Sequence, residues 1–184
     1  MSSDEFEQLR RDVQYVKDRL AILDCVNNQA RGHDRHDTKL MTSVYHDDAV
    51  DEHGPNVKRG PEYAEWANQV HSAVFADHLH NITTHTCEID GNVAHCESYV
   101  MGAMLGRDSK TVSLIGGRYL DRLERRDDEW RIVLRRCTIV WTIEGDAALL
   151  GSGAFKGFLK GTRNDSDMSY TRPLELSSEP ADRW

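Results

Sequence analysis

The spacing of apolar residues changes once along the chain, and this change limits the folds that the chain can adopt. Up to about residue 74, apolar residues recur every three or four positions, as Phe6, Leu9 and Val13 do, which is typical of amphipathic helices. From about residue 80 they alternate with polar residues, which is typical of half-buried strands. Helices followed by a meander of antiparallel strands predict an α+β fold, with the helices packed on one face of a curved sheet.

Three helices are predicted in the first part of the chain. The first spans residues 4–31 and is stopped by Gly32. The second begins after Asp37, whose carboxylate can accept a hydrogen bond from the first helical turn. A loop over residues 54–60 follows a short strand, and Pro61 stands where a third helix would begin.

The second part of the chain is predicted to form long strands joined by tight turns, such as Asp90-Gly91-Asn92. Together with the short strand before the third helix, the predicted strands span residues 47–53, 80–89, 93–105, 111–123 and 130–143. From Gly145 onward the composition shifts to Gly, Ser, Asp, Arg and Pro. We therefore predict one folded domain over residues 1–144, and a polar tail over residues 145–184 that packs on this domain or on a neighbouring subunit.

The charge balance and the cysteine pattern exclude several classes of protein. The formal net charge of the 184-residue chain is −8, whereas binding phosphates needs clustered Lys and Arg, so no nucleic acid partner is expected. No apolar run of the sequence reaches membrane-spanning length, and the acidic, polar N-terminus does not resemble a secretory signal. Four widely spaced cysteines form no C-x-x-C motif and are expected to be reduced. These features predict a cytoplasmic protein.

Four segments of the sequence resemble one family. They are RGHDRHDTKLMTSVYHDDAVDEHG (31–54), HNITTHTCEIDGNVAHCESY (80–99), GGRYLDRLERRDDEWRIVLRR (116–136) and RNDSDMSYTRPLEL (163–176). They are similar to the SnoaL-like branch of the NTF2-like superfamily. The resemblance implies a cone-shaped barrel, in which N-terminal helices pack on a curved, mostly antiparallel sheet. It also implies a small-molecule substrate in a hydrophobic pocket and a homo-oligomer, with a trimer favoured over a dimer.

The same resemblance implies roles for individual residues. In dehydratase and dehydrochlorinase members of the superfamily, an Asp follows the first long helix and a His lies on the first long strand, and these match Asp34 and His80. An Arg that binds substrate in the dehydrochlorinase matches Arg135. Five residues before the Asp, these lyases carry Tyr or Lys, whereas this chain carries Gln29. A Gln side chain donates hydrogen bonds but does not transfer a proton at a useful pKa, so Gln29 is predicted to orient the substrate together with Arg135 and Tyr99.

Further candidates come from the predicted sheet. Tyr99 or Tyr119 could supply the acid that is missing from the helix, and Arg118 and His53 are added as substrate-binding candidates, His53 near the pocket mouth. Each candidate also has a structural interpretation. An Asp can complete a helix-ending turn, a His or Tyr can be a satisfied core residue, and an Arg can pair with an acid such as Glu97 across the sheet.

The pair His78-x-His80 is the strongest metal candidate in the sequence, because alternate strand residues share one face. A zinc site needs a third and usually a fourth ligand, which Asp34 or His53 could supply. The spacing of these residues matches no closed ligand set. We therefore expect neither a metal nor another cofactor.

The predicted Asp–His pair suggests a reaction class. An Asp that bonds one nitrogen of a His fixes the tautomer, so that the other nitrogen can take a proton without help from a metal. We predict a cofactor-independent lyase that acts by elimination, dehydration or deformylation on a small apolar or aromatic molecule, with Asp34 and His80 as catalytic residues. Two alternatives stay open: an isomerase or cyclase that uses the same pocket, and a non-catalytic small subunit or ligand-binding module, such as a ring-hydroxylating dioxygenase small subunit.

Overall fold

A computed structural model describes residues 1–176 and 182–184. Within these residues three α-helices and six strands follow one another along the chain. They are α1 (Ser3–Asp34), α2 (Thr38–Ser43), β1 (Tyr45–His53), β2 (Asn56–Arg59), α3 (Gly60–Val74), β3 (Phe75–Asp90), β4 (Val93–Gly106), β5 (Thr111–Arg126) and β6 (Glu129–Asp146). The α+β class predicted from the change of period is confirmed.

The strands of the described residues form one sheet in the order β2-β1-β6-β5-β4-β3. Neighbouring strands are antiparallel, except that β1 runs parallel to β6. The pairing register shifts between Ile82 and His85 in β3 and between Gly116 and Gly117 in β5, and such irregularities bend a sheet. The sheet is curved as predicted, but it is not closed into a barrel, since β2 and β3 form its two edges.

The corner between α1 and α2 positions the end of the first helix. Helix α1 continues past Gly32 to Asp34, so the predicted stop at this glycine is wrong. The position requires a small residue, because a Cβ on Gly32 would lie 2.7 Å from Cγ of Met41 in α2. Asp37 caps α2 as predicted, since the backbone N–H of Leu40 donates to Asp37 Oδ1 at 2.9 Å. The corner therefore holds the last turn of α1 against the core.

The helices cover one face of the sheet. Helix α1 packs on β3 and β6, α3 packs on β1, and α2 contacts both of the longer helices. Two groups of buried apolar side chains fill the space between these layers. The first group includes Ile22, Val44, Tyr45, Leu123, Trp130 and Ile132, and the second includes Met41, Tyr63, Ala64 and Ala67. Burial of this area supplies the main driving force for folding.

The first half of α1 lies outside this core. Phe6, Leu9 and Val13 are about half exposed, whereas Ile22 and Val26 are fully buried. The helical period of these residues correctly indicated a helix, but it did not indicate burial. Part of the predicted loop after β1 is also regular structure, because residues 56–59 form β2, which pairs with β1 in a hairpin.

The described part of the tail lies against the corner of α1 and α2 in the same chain. The hydroxyl of Tyr170 donates to Asp37 Oδ2 at 2.9 Å. Arg35 Nε lies 3.3 Å from Oδ1 of Asp167, and Arg163 donates to the carbonyl oxygen of Phe75 at 3.3 Å. The division at residue 145 and packing on a neighbouring subunit stay predictions. No helix in the described residues is long and apolar enough to cross a membrane.

Candidate active site

Asp34 and His80 form a directly bonded pair. Asp34 is the last residue of α1 and His80 lies on β3. His80 Nδ1 donates to Asp34 Oδ1 at 2.7 Å, and the backbone N–H of His80 lies 3.0 Å from both carboxylate oxygens. Both side chains are nine-tenths buried or more. Because the carboxylate accepts the proton carried by Nδ1, Nε2 holds the lone pair and can act as a base.

The ring of His80 lines a cavity of about 120 Å³ between α3 and the sheet. Apolar and titratable side chains share the wall. The apolar part includes Phe75, Val100, Met104, Ile115 and Ile139, and the titratable part consists of His53, His71, His80, Tyr119 and Cys137. A mostly apolar cavity with a few convergent titratable groups is typical of a small-molecule site.

Larger cavities lie outside this interior space, and two of them adjoin the end of α1. One, of about 530 Å³, lies between the sheet and the tail and is lined by His78, Leu79 and Trp184 among others. Another, of about 410 Å³, is polar and touches Asp34 and His80 from the side of the α1 end. The interior cavity is the better site for chemistry, because its apolar walls exclude water from the ring of His80.

A second acid–histidine pair lines the same interior cavity. His53 Nδ1 lies 3.2 Å from the hydroxyl of Tyr63 and 3.6 Å from Asp51 Oδ1. Asp51 is fully buried and accepts a hydrogen bond from Tyr45 at 2.7 Å. Burial opposes protonation of His53, but Asp51 and Cys137 outweigh it and raise the pKa of His53 to about 9. His53 is therefore a cation at neutral pH.

His33 packs directly against the catalytic candidate. The rings of His33 and His80 are stacked, with centroids 4.6 Å apart and planes inclined by 17°. Burial and the neighbouring histidines, His80 first among them, hold the pKa of His33 well below its usual range. His33 is therefore neutral, and it contacts His80 through the faces of the two rings.

Arg135 is committed to a buried ion pair. Its Nε and Nη2 atoms donate to the two carboxylate oxygens of Asp121 at 2.7 and 2.8 Å. Both side chains are fully buried, and the guanidinium carbon lies 4.2 Å from the ring centroid of Tyr119. The structure thus matches the interpretation of Arg135 as the partner of an acid across the sheet, with Asp121 as that acid. Arg135 is not among the residues that line the cavity, but its guanidinium packs on the ring of Tyr119, which does line it.

The structure does not bring Tyr99 and Arg118 to the cavity. They are paired neighbours on β4 and β5, and both line a depression on the opposite face of the sheet. Tyr99 is about half exposed, and Arg118 donates to Glu97 at 2.8 Å. The reason is strand alternation: Val100 and Tyr119 face inward, so the residues beside them face outward.

Gln29 lies one helical turn before His33 on the buried face of α1. The side chain is fully buried, and its Oε1 atom has no hydrogen-bond partner among the described residues. Gln29 is not part of the cavity wall described above. Its role in binding substrate therefore stays a prediction.

Three groups of side chains in the described residues have the spacing that a metal ion requires. They are Asp34, His78 and His80; His33, His71 and His78; and His85, Cys87 and Cys96. The first group is the one that the sequence suggested. His33 and His71 were missed by sequence reasoning, because no motif links residues that come from the ends of two different helices. The sequence offered one signal for His33, which directly precedes Asp34.

A family comparison matches this architecture. The family of the SnoaL-like domain matches residues 14–136, which is more than half of the chain. The chain belongs to this SnoaL-like family. The resemblance noted in the sequence is thereby confirmed. No curated protein matches the chain.

Solved structures show the same fold. A hexachlorocyclohexane dehydrochlorinase, LinA-type3 from Novosphingobium barchaimii LL02, is 23% identical with a TM-score of 0.68, over 73% of this chain and 94% of that one. A scytalone dehydratase-like protein from Novosphingobium aromaticivorans DSM 12444 is 17% identical with a TM-score of 0.64, over 72% and 90%. A protein of unknown function from Mycobacterium tuberculosis is 25% identical with a TM-score of 0.61, over 70% and 75%.

Proposed function

We propose that this protein is a lyase that eliminates a leaving group from a small apolar or aromatic substrate by proton transfer, without a cofactor. The observation that carries the proposal is the bond of 2.7 Å between His80 Nδ1 and Asp34, with the same His80 ring in the wall of an interior cavity. His80 Nε2 removes a proton from carbon, and Asp34 stabilises the imidazolium that results. Positioned base catalysis of this kind contributes about 10²–10⁴-fold.

His53 is proposed as the group that assists the leaving group. An elimination needs a base on one side of the substrate and an acid or hydrogen-bond donor on the other. His53 lines the same cavity, and Asp51 keeps it protonated. Two histidines with different carboxylate partners in one cavity can therefore divide the roles of base and acid. This arrangement supplies the proton donor that Gln29 cannot be.

Two further observations support this reaction class. One solved structure with the same fold is named a dehydrochlorinase, which catalyses an elimination. The cavity of about 120 Å³ is also small beside the roughly 300–1,000 Å³ of sites for drug-sized ligands. We therefore propose a compact cyclic substrate with a halide or hydroxyl leaving group. Apolar side chains make up half of the side chains in the wall, so much of the binding free energy would come from apolar contact.

The test is turnover of a panel of small halogenated or hydroxylated ring compounds, followed by mass spectrometry and by release of halide. Wild type should convert at least one compound, and His80→Ala should lose about 10²-fold or more. Tyr99→Phe is the matched control, because Tyr99 lies on the opposite face of the sheet. Equal rates for wild type and His80→Ala would contradict the assignment.

The same experiment separates the alternatives when it is run in heavy water. An isomerase or cyclase would place solvent deuterium in the product without loss of a leaving group. A non-catalytic small subunit would convert nothing in the panel and would co-purify with a larger partner that carries the reaction centre. Elimination is favoured over both because a base and a protonated donor line one cavity.

We also propose a homo-oligomer, with a trimer favoured over a dimer. The outer face of the sheet exposes apolar side chains on β4 and β6, including Tyr99, Met101, Val140 and Trp141. Exposed apolar patches of this kind often mark contacts between subunits. Light scattering after gel filtration would measure the assembly.

We also propose that the protein is cytoplasmic. All four cysteines are free, which supports this proposal, since thiols stay reduced in the cytoplasm.

A further inference from the structure

Three histidine rings meet beside the Asp34–His80 pair, each from a different element. His33 lies in the last turn of α1, His71 in the last turn of α3, and His78 near the start of β3. Their ring centroids are 4.3 Å apart for His33 and His71, 4.6 Å for His71 and His78, and 5.2 Å for His33 and His78. One nitrogen of each ring lies within 4.8 Å of the others. We call these three residues the histidine cluster.

Nitrogen atoms of the cluster lack partners. In the part of the chain that the structure describes, both ring nitrogens of His33 and the Nδ1 atoms of His71 and His78 are buried without a hydrogen bond. His33 and His78 are almost fully buried, at 1% and 2% exposure. Burying polar atoms without partners is costly, and native proteins rarely do so without a reason. Ordinary core packing therefore does not account for three such rings in contact.

His78 already has the orientation of a metal ligand. Its Nε2 atom lies 3.1 Å from the carbonyl oxygen of His33, and a carbonyl only accepts hydrogen bonds. Nε2 therefore carries the proton, and Nδ1 holds a free lone pair that points away from this bond. Metal-binding histidines commonly donate their second nitrogen to a backbone carbonyl in this way, which fixes the tautomer.

We propose that the histidine cluster binds one divalent transition-metal ion of the zinc type, with the fourth coordination position open to water or a small ligand. Three imidazole ligands and an open position suit zinc and its neighbours in the first transition row. Tetrahedral zinc–nitrogen bonds of about 2.0–2.1 Å place ligand nitrogens roughly 3.3 Å apart, so the three nitrogens, now within 4.8 Å of one another, draw together when the ion binds. His71 lines the interior cavity and His78 the larger cavity beside the tail, so both spaces give access to the cluster.

The surroundings favour a cation bound by neutral ligands. The C-terminal ends of α1 and α3, where the helix dipole is negative, both reach the cluster. Burial lowers the pKa of His71 and of His78 to about 3, and that of His33 falls well below its usual range for the same reason. All three rings are thus neutral at pH 7, as metal binding requires.

The alternative group of Asp34, His78 and His80 is a weaker metal candidate. Asp34 and the Nδ1 atom of His80 already bond each other at 2.7 Å, and a metal at that point would break the pair. The histidine cluster involves neither Asp34 nor His80. The metal proposal therefore does not depend on the proposed lyase function.

The experiment measures zinc binding by the full chain without a polyhistidine tag. Protein stripped with EDTA is dialysed against a range of Zn²⁺ concentrations, and bound zinc is counted by mass spectrometry. Wild type should bind one ion per chain, and the melting temperature should rise with zinc and return with EDTA. His71→Ala should weaken binding at least tenfold, and its folding is checked by circular dichroism. His95→Ala, a change at an exposed histidine of β4, and Asp34→Asn should bind like wild type.

Each result decides the proposal. Wild type that holds no more zinc than His71→Ala would overturn it, and so would loss of zinc in Asp34→Asn with retention in His71→Ala. A variant that fails to fold does not block the test, because Co²⁺ added to wild type reports the ligands directly. An intense visible absorption band, typical of a four-coordinate site, supports the cluster, whereas the weak spectrum of hydrated Co²⁺ contradicts it.

Discussion

His80 donates to Asp34 from two places, from its backbone N–H at 3.0 Å and from its own ring at 2.7 Å. The two bonds hold the imidazole to the end of α1 from both its backbone and its side chain. Rotation of the ring would break the 2.7 Å bond from Nδ1 but would leave the backbone bond of the strand intact. The carboxylate therefore sets the orientation of Nε2 as well as the tautomer.

Replacing this carboxylate tests its role. Asp34→Asn should lower the turnover rate by about 10²–10⁴-fold, because an amide cannot stabilise the imidazolium as a carboxylate does. The fold should survive, and circular dichroism will check it. Asp24→Asn, at an exposed position of the same helix, is the control and should keep the wild-type rate. Full activity in Asp34→Asn would refute the pair as the base.

The charge on His53 predicts a pH dependence. Since its pKa is raised to about 9, the protonated donor is present at neutral pH and is lost as the pH rises through that value. Turnover should therefore fall at alkaline pH with a midpoint near pH 9 in wild type. His53→Gln should be slower at neutral pH and should lack this alkaline fall. An identical alkaline limb in the variant would show that another group titrates there.

Much of the fold could be predicted because local patterns were sufficient. The change of apolar period separated helices from strands, and Asp37 marked the start of α2. The exposure of the first half of α1 and the pairing of β2 could not be predicted, since they depend on what the rest of the chain covers. The predicted helix stop at Gly32 was wrong, because this position needs a small residue to make room for Met41 of α2 and does not end the helix.

The candidate site was predictable only in part. Asp34 and His80 follow from the family resemblance, and the structure places them in contact. Tyr99 and Arg118 were assigned to the pocket because the sequence does not fix which parity of each strand faces inward. A shift of one residue moves a side chain to the opposite face. The histidine cluster joins ends of two helices and a strand, and only tertiary structure brings such residues together.

Arg135 should be important for stability. Removing one partner of a buried ion pair leaves an unpaired charge and costs about 3–5 kcal/mol, so Arg135→Met should lower the free energy of unfolding by roughly this amount. The double variant Arg135→Met with Asp121→Leu should recover most of the loss. Glu97→Gln, in the partly exposed pair with Arg118, should cost at most about 1 kcal/mol. Urea denaturation measures all of these changes, and a small cost for Arg135→Met alone would argue against a structural pair.

The histidine cluster predicts a loss of stability in mild acid. Burial lowers the pKa of His33, His71 and His78, so below about pH 6.5 the unfolded chain takes up protons that the folded chain does not. The free energy of unfolding then falls with decreasing pH, by up to about 1.4 kcal/mol per pH unit for each histidine. His53 adds no slope below pH 6.5, because the stabilisation that its raised pKa supplies is fully present there and is lost only as the pH rises through about 9.

Urea denaturation between pH 6.5 and 5, in EDTA to exclude metal, isolates this effect, since most carboxylates titrate below this range. Wild type should lose stability steeply across the window, and His71→Asn should reduce the slope by about one quarter to one third, because burial also lowers the pKa of His36, which titrates beside the three rings of the cluster. His95→Asn is the matched control at an exposed position and should leave the slope unchanged. A flat profile in wild type would mean that the three rings are protonated in the folded chain, which contradicts both their neutral state and their readiness to bind a metal ion.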